Sequence, residues 1–185
     1  MTNSSAIVIV IAIVVVAAGT WIIFRIQKSR RLRSRFGPEY DRIVEQAGGR
    51  FRAESQLAER KKRVQRLHIR ELTRDERDRF AREWLKRQSL FVEDPRSAVA
   101  QADSLITNAM NARGYPTSNF ETQVADVSVD HARVVEHYRQ AHVIAERGAQ
   151  ATTEELRRAM IYYRALFEDF IGTRVSKSIH EEVQK

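Results

Sequence analysis

Two consecutive helices are encoded by TRDERDRFAREWLKRQSLFVEDPRSAVAQADSLI, residues 73–106. Thr73 and Glu76 have the spacing of a capping box, in which each side chain accepts a backbone N–H at the start of a helix. Asp94 followed by Pro95 is typical of an N-cap and a first helical position. Apolar residues then recur at intervals of three and four, which predicts two helices that each bury one face.

The helical pattern continues toward the C-terminus. Gly114 and Pro116 predict the end of the second of these helices. Ser118 and Glu121 have the capping-box spacing for a short third helix. Residues 129–148 then carry another apolar stripe at helical spacing, which predicts a fourth helix.

The last clear helix is predicted to begin at Thr152, which forms a capping box with Glu155, and to end at Gly172. Outside residues 6–24 no stretch alternates between apolar and polar residues, as a half-buried strand would. The sequence therefore predicts an all-α fold whose core domain, residues 73–172, is a bundle of four or five helices.

The apolar run AIVIVIAIVVVAAGTWIIF, residues 6–24, contains no charged side chain. A helix of this length measures about 28 Å, close to the hydrocarbon thickness of about 30 Å. Its six Ile, five Val and one Phe favour insertion by a total on the order of 5 kcal/mol. The preceding MTNSS has no positive charge, unlike a signal peptide. The run is therefore predicted to be a transmembrane helix.

A basic collar follows the apolar run, because residues 25–36 contain six basic residues and no acidic one. The positive-inside rule then predicts an N-terminus outside and the remainder in the cytoplasm, at the inner membrane. Such a collar is also expected to lie on anionic headgroups, at up to about 1 kcal/mol per basic residue. The predicted membrane-surface residues are Trp21, Arg25, Lys28, Arg30, Arg31, Arg33 and Arg35.

The region between the collar and the core domain is highly charged. Tyr40, Ile43, Val44, Ala47 and Phe51 recur at helical spacing and predict a buried stripe. Gly37-Pro38 predicts a break in the helix before this stripe, and Gly48-Gly49 predicts a kink or a short break within it. The resulting order is a short tail (1–5), a transmembrane helix (6–24), a polybasic juxtamembrane segment (25–36), a charged helical region (37–72), the helical core domain (73–172) and a C-terminal tail (173–185).

A second basic group lies within residues 50–74, which hold nine basic and three acidic residues. It is interpreted as a solvated helix with mixed ion pairs, or as a surface for the acidic membrane or an acidic protein partner. Nucleic acid is disfavoured because no aromatic residues interleave with the bases, and residues 75–185 hold sixteen basic and eighteen acidic residues. This possible interaction patch comprises Arg60, Lys61, Lys62, Arg63, Arg66 and Arg70.

No catalytic, cofactor or metal site is predicted. The chain has no cysteine, and its glycines do not cluster into a phosphate-binding loop. His131, His137 and His142 fall on one predicted helix, but spacings of six and five residues turn neighbouring rings by about 120° and 140°, so they do not share one ion. Asp126 and Asp130 beside His131 remain a candidate acid–base cluster.

Five motifs resemble those of an uncharacterised family of bacterial proteins, whose members are labelled as membrane or secreted proteins. The motifs are LRSRFGPEYDR (32–42), FVEDPRSAVAQADSLI (91–106), RGYPTSNFE (113–121), SVDHARVVEHYRQAH (128–142) and TEELRRAMIYYRALF (153–167). The resemblance covers most of residues 32–170. It implies a bacterial source and an N-terminal anchor before a helical domain, and it carries no catalytic residue, cofactor or activity.

The leading functional hypothesis is a single-pass membrane protein whose helical domain binds another protein at the cytoplasmic face. It combines an apolar anchor with a packed helical domain that contains no recognisable catalytic motif. Its expected partners are a bilayer with anionic headgroups and a further protein. The alternatives are an enzyme with a polar His/Asp site in the helical domain, and a domain that faces outward into the cell envelope.

Overall fold

The computed structural model describes the backbone of residues 2–172 and the side chains of residues 13–172. Over this range the chain forms eight α-helices and no strand, which confirms the all-α prediction. The helices are α1 (Thr2–Phe36), α2 (Pro38–Gln46), α3 (Arg50–Gln65), α4 (Arg74–Glu93), α5 (Pro95–Arg113), α6 (Phe120–Val127), α7 (Val135–Arg147) and α8 (Thr153–Ile171), with a 3-10 turn at Gly148–Gln150. The predicted tail at 173–185 lies outside the described residues.

The chain divides into two compact units, and the boundary between Leu57 and Ala58 lies within α3. Within the first unit α1 packs against α2, and both predicted breaks occur. Pro38 occupies the first turn of α2. Backbone N–H groups in a first turn have no carbonyl partner within the helix, so the missing N–H of proline costs no helical hydrogen bond. Phe36, Tyr40 and Ile43 are almost fully buried and form the apolar centre of this unit.

The second unit is a helical bundle, as predicted. Helix α4 packs on α5, α5 packs on α8, and α7 packs on α8, while the short α6 lies against α7. Trp84 of α4 stacks on Phe167 of α8 with ring centroids 4.8 Å apart. Tyr138 and Tyr163 are also fully buried, so aromatic rings from three helices fill the core.

The predicted starts of α4, α5 and α8 are confirmed, and that of α6 is shifted by one residue. Both capping boxes, at Thr73 and at Thr152, have both of their hydrogen bonds. Asp94 caps α5 by accepting the N–H of Ser97 at 3.0 Å. The predicted cap of α6 at Ser118 is wrong by one residue, because Asn119 has the extended backbone that lets its side chain accept from the third helical N–H.

Helix α7 is shorter than predicted, beginning at Val135 rather than at residue 129. The carbonyl oxygen of Val127 accepts hydrogen bonds from Asp130 and His131, and these bonds wind the intervening chain into turns. The apolar residues of these turns, Val129 and Ala132, are buried, so the turn residues extend the apolar pattern without being helical. His131 therefore does not share a helix with His137 and His142.

Helix α1 includes the whole of the predicted transmembrane segment, residues 6–24. In the part of the chain whose side chains are described, no helix is long and apolar enough to span a membrane. The transmembrane interpretation of residues 6–24 stays a prediction.

Candidate functional site

A run of large apolar side chains on α1 is left uncovered. From Ile13 to Phe24 every described side chain of this kind is at least half exposed, and Val16 is 68% exposed. Contiguous apolar surface of this extent is typical of a region that contacts a membrane or another protein. The run ends at Trp21 and Phe24, directly before the basic collar.

The six basic residues of the collar are all exposed on α1. The guanidinium group of Arg25 lies 5.0 Å from the ring centroid of Trp21, so the aromatic end of the apolar run and the start of the collar are in contact. Arg33 forms an exposed ion pair with Asp41, 3.4 Å apart. The collar thus presents its charge to solvent, and Asp41 of α2 partly neutralises Arg33.

A cavity of about 370 Å³ lies among the first three helices, within the first unit. We call it the arginine pocket, because four guanidinium side chains contribute to its lining. Arg25, Arg30 and Arg33 come from α1, and Arg50 comes from the first turn of α3. Its other lining residues are Ile26, Ser29, Tyr40, Phe51 and Glu54.

A chain of hydrogen bonds crosses the base of the arginine pocket. The hydroxyl group of Tyr40 donates to Oε1 of Glu54 at 3.0 Å and therefore accepts from the hydroxyl group of Ser29 at 3.2 Å. Glu54 is 8% exposed and Tyr40 is 2% exposed. The chain links α1, α2 and α3, so it fixes the relative positions of the helices that carry the arginines.

Phe51 differs from its sequence-based prediction. It continues the apolar stripe of α2 in sequence, but it is 69% exposed at the rim of the arginine pocket. The break at Gly48-Gly49 separates α2 from α3, so Phe51 does not continue the buried face that carries Tyr40 and Ile43. The guanidinium group of Arg25 lies 5.3 Å from its ring centroid.

The second predicted site, the basic patch of residues 60–70, is partly used within the domain. Arg70 makes two hydrogen bonds of 2.7 Å to Glu76. Together with the bond from the N–H of Thr73, they lower the pKa of Glu76 to about 2. Lys62 pairs with Glu59 at 3.0 Å on the same helix. Arg63 pairs with Asp126 of α6. The structure therefore does not present these six residues as one continuous free surface.

The pair between Arg63 and Asp126 joins residues 63 positions apart. Asp126 is fully buried, and its Oδ1 accepts from Nε of Arg63 at 2.7 Å and lies 2.6 Å from Nη2. The guanidinium side chain is 47% exposed and closes the site toward solvent. A buried carboxylate with one cationic partner depends strongly on that partner, because water does not replace it.

Replacement of Arg63 with methionine is expected to lower the free energy of unfolding by about 2 kcal/mol, because it leaves the buried Asp126 carboxylate without its charge-assisted hydrogen bonds. Guanidinium denaturation followed by circular dichroism measures the loss. Arg66→Met is the matched control, since Arg66 is an exposed cation of the same patch, and it is expected to change stability by less than about 0.5 kcal/mol. Equal losses in the two variants would show that the pair with Asp126 is unimportant.

Both aspartates of the candidate acid–base cluster around His131 bind other side chains. Asp126 pairs with Arg63, and Asp130 accepts a hydrogen bond from the hydroxyl group of Tyr115 at 3.3 Å. His131 instead contacts Asp169 of α8, 38 positions away in the sequence. The turn that replaces the first part of the predicted helix directs the imidazole toward α8.

Both ring nitrogens of His131 are engaged. Arg113 donates to Nε2 at 3.0 Å, so the ring proton is on Nδ1 and is donated to Asp169. The imidazole also stacks on Phe170, with ring centroids 4.3 Å apart. These contacts tie the turn before α7 to α5 and α8, which is a structural role.

His142 is the centre of a second polar cluster. Its Nδ1 lies 3.2 Å from Asp103, which also accepts the hydroxyl proton of Tyr163 at 2.7 Å. Its Nε2 lies 3.4 Å from Glu146. The ring stacks on Phe120 with a centroid separation of 3.7 Å. The buried hydroxyl of Tyr163 next to a carboxylate has a pKa well above its ordinary value, because burial and the charge of Asp103 both disfavour the phenolate.

The stability of the bundle is expected to depend on the protonation of His142. Burial lowers the pKa of His142, but the hydrogen bond to Asp103 and the charges of Glu146 and Glu121 outweigh it, so the pKa lies above its ordinary value. Protonated His142 therefore stabilises the fold below about pH 6.5, and this contribution is lost as the pH rises through the raised folded-state pKa.

His142→Gln is thus expected to destabilise the protein more at about pH 6 than at about pH 9, with a difference of less than about 1 kcal/mol because the pair is partly solvated. Denaturation at the two pH values measures this difference. The exposed His68 supplies the control variant His68→Gln, which is measured at the same two pH values. A greater effect of His142→Gln at the alkaline pH would contradict the assignment.

In the described part of the chain, no group of three or more His, Cys, Asp or Glu side chains is arranged to hold a metal ion. Comparison of the chain with models of known protein families, with curated proteins and with solved structures finds no match. The resemblance to the bacterial membrane and secreted proteins stays a prediction.

Proposed function

We propose that the protein is a single-pass inner-membrane protein with its N-terminus outside and its helical bundle in the cytoplasm. The observation that carries this proposal is the uncovered apolar surface of α1, which ends at Trp21 and is followed at once by exposed arginines. Apolar side chains without a protein covering are stabilised by lipid, and indole and guanidinium groups suit the headgroup layer. The charge distribution supports the orientation, because no charged side chain precedes the apolar run.

The helical bundle is proposed to bind another protein. A groove of about 340 Å³ between α7 and α8 supports this role, since it combines charged side chains with the half-exposed Val143. Exposed apolar residues ringed by charges are typical of moderately polar protein interfaces. The groove is lined by Glu136, Arg139, Gln140, Val143, Ile144, Arg147, Glu155, Arg158 and Tyr162.

Membrane integration is tested by washing isolated membranes with alkaline carbonate, which removes peripheral proteins. We expect the full chain to remain in the membrane pellet and to be released by detergent. Recovery in the carbonate wash would contradict the proposed anchor.

The protein-binding role is tested with a photo-crosslinking residue in place of Val143. This residue should capture a defined protein that the same residue in place of the exposed Val92, on α4, does not capture. Capture of the same set of proteins from both positions would contradict a role for the groove.

The enzyme alternative has less support than the scaffold role. The histidines of the bundle do not converge, since His131 and His142 bind different carboxylates and each uses both ring nitrogens. His137 stacks on Tyr162 with centroids 5.0 Å apart. The contacts of His131 and His142 join side chains of different helices, which supports a role in positioning those helices.

A further inference from the structure

We propose that the arginine pocket binds the phosphate group of an anionic glycerophospholipid. This inference rests on the proposed membrane anchor, but it concerns a defined site rather than general attraction between the collar and the membrane. The pocket is lined by four guanidinium groups and one carboxylate, which leaves three positive charges in excess. Guanidinium groups bind phosphate oxygens through paired, charge-assisted hydrogen bonds, so a cluster of this composition fits a phosphate.

The carboxylate in the lining is already engaged. Glu54 is buried, and its Oε1 accepts the hydroxyl proton of Tyr40. Arg33 is drawn partly toward Asp41 outside the pocket. Arg25, Arg30 and Arg50 therefore provide most of the positive charge for a bound anion, and all three are exposed at the pocket.

The start of α3 adds to this positive charge. Helix α3 begins at Arg50, and both Arg50 and Phe51 line the pocket. The first N–H groups of a helix lack carbonyl partners within the helix and form the positive end of its dipole. A phosphate beside Arg50 would thus lie close to free donors as well as to guanidinium groups.

The position of the pocket along α1 favours a lipid as the source of the phosphate. Arg25 contacts both Trp21 and Phe51, which places the pocket next to the residue expected at the level of the headgroups. Ile26 and Phe51, at the rim, are 47% and 69% exposed. These apolar groups suit the glycerol and upper acyl region of a lipid, and a free phosphate ion would leave them in water.

The pocket is also held in shape before any ligand binds. The hydrogen bonds from Ser29 to Tyr40 and from Tyr40 to Glu54 connect all three helices beneath the arginines. Binding to a preformed site costs less conformational entropy than binding that must first order flexible side chains and loops. The site is therefore expected to distinguish anionic lipids by geometry as well as by charge.

The test uses the full chain in micelles of a neutral detergent, with bound lipid counted by native mass spectrometry during titration with phosphatidylglycerol or phosphatidylcholine. The double variant Arg30→Gln/Arg50→Gln removes two pocket arginines. Its matched control, Lys28→Gln/Arg31→Gln, removes the same charge from collar residues that do not line the pocket. We expect the pocket variant to bind phosphatidylglycerol about tenfold more weakly and the control to change by less than about twofold.

The conservative variant Arg30→Lys/Arg50→Lys separates geometry from charge. It keeps both charges but loses the paired donors, so its affinity should fall between those of the wild type and the glutamine variant. Equal weakening by the pocket variant and the collar control would overturn the proposal in favour of diffuse attraction. Binding of inorganic phosphate as tightly as phosphatidylglycerol would overturn the assignment to a lipid.

The result of the lipid-binding test can be distinguished from the result of the membrane-integration test. The pocket variant should stay in the membrane pellet after carbonate washing, because its apolar run is unchanged. Loss of lipid selectivity together with retained integration would show that the pocket, and not the anchor, has been disabled. Selective lipid binding by a wild-type chain that carbonate extracts would instead leave the pocket supported and the anchor refuted.

Discussion

The double substitution Val14→Arg/Val15→Arg is expected to move the protein from the membrane pellet to the soluble fraction. These residues lie at the middle of the apolar run, where each arginine costs about 2.5–3.5 kcal/mol. The two substitutions together oppose an insertion free energy on the order of 5 kcal/mol. The expected loss of integration is therefore nearly complete, and it is measured as the fraction of protein that resists carbonate extraction.

The control for this experiment is Val14→Leu/Val15→Leu, which changes the same two side chains and keeps them apolar. This variant is expected to remain in the membrane pellet. If the arginine variant also stays in the pellet, the apolar run is not what holds the protein at the membrane.

The largest expected effect on the stability of the bundle comes from Gly114→Ala. Gly114 ends α5 in the left-handed region, at φ 96° and ψ 13°. A Cβ atom at this position would lie 2.6 Å from the carbonyl oxygen of His68, which is backbone and does not swing aside like a side chain. The N–H of Arg70 bonds the carbonyl oxygen of Arg113 at 2.9 Å, so the two segments are held together where the methyl group would have to fit.

The expected loss is about 4 kcal/mol in the free energy of unfolding, made up of backbone strain and steric overlap of similar size. Chemical denaturation of the purified protein measures it. Gly48→Ala is the control, because Gly48 also has a positive φ, 67°, but an added Cβ meets nothing within 4 Å. Its loss should reflect backbone strain alone and be smaller. A loss at Gly114 no greater than that at Gly48 would mean that the segment after His68 moves away at little cost.

Local features of the fold could be predicted from the sequence because their causes lie within a few residues. The capping boxes at Thr73 and Thr152, the Asp94 cap and the helix end at Gly114 each depend on side chains and turns at fixed short spacings. The start of α7 could not be predicted in this way. Buried residues in the preceding turns continue the apolar pattern of the helix, so the pattern does not mark the boundary.

Partners that are distant in sequence could not be predicted. Asp126 binds Arg63 across 63 positions, and His131 binds Asp169 across 38 positions. These contacts depend on how the helices pack, which apolar periodicity does not specify. As a result, neither the pairing of Arg63 with Asp126 nor that of His131 with Asp169 could be predicted from the sequence.

The candidate membrane-facing site was predicted in part. The collar from Arg25 to Arg35 is evident from composition alone. The arginine pocket also needs Arg50, which is near α1 because α2 and α3 are joined at Gly48-Gly49 rather than forming one helix. In the sequence, the pocket is indicated by the paired glycines followed by Arg50 and Phe51. That these two residues line the pocket is evident only from the position of α3.

The central claim is tested most directly by reciprocal labelling of single cysteines, because the chain has none of its own. Ser4→Cys reports on the N-terminus, and Val92→Cys reports on the bundle at a side chain that is 86% exposed. Intact bacterial cells that express either variant are treated with a maleimide that does not cross the inner membrane. We predict that Cys at position 4 reacts in intact cells and that Cys at position 92 reacts only after lysis. Labelling of position 92 in intact cells, or of neither position before lysis, would contradict the proposed single-pass arrangement.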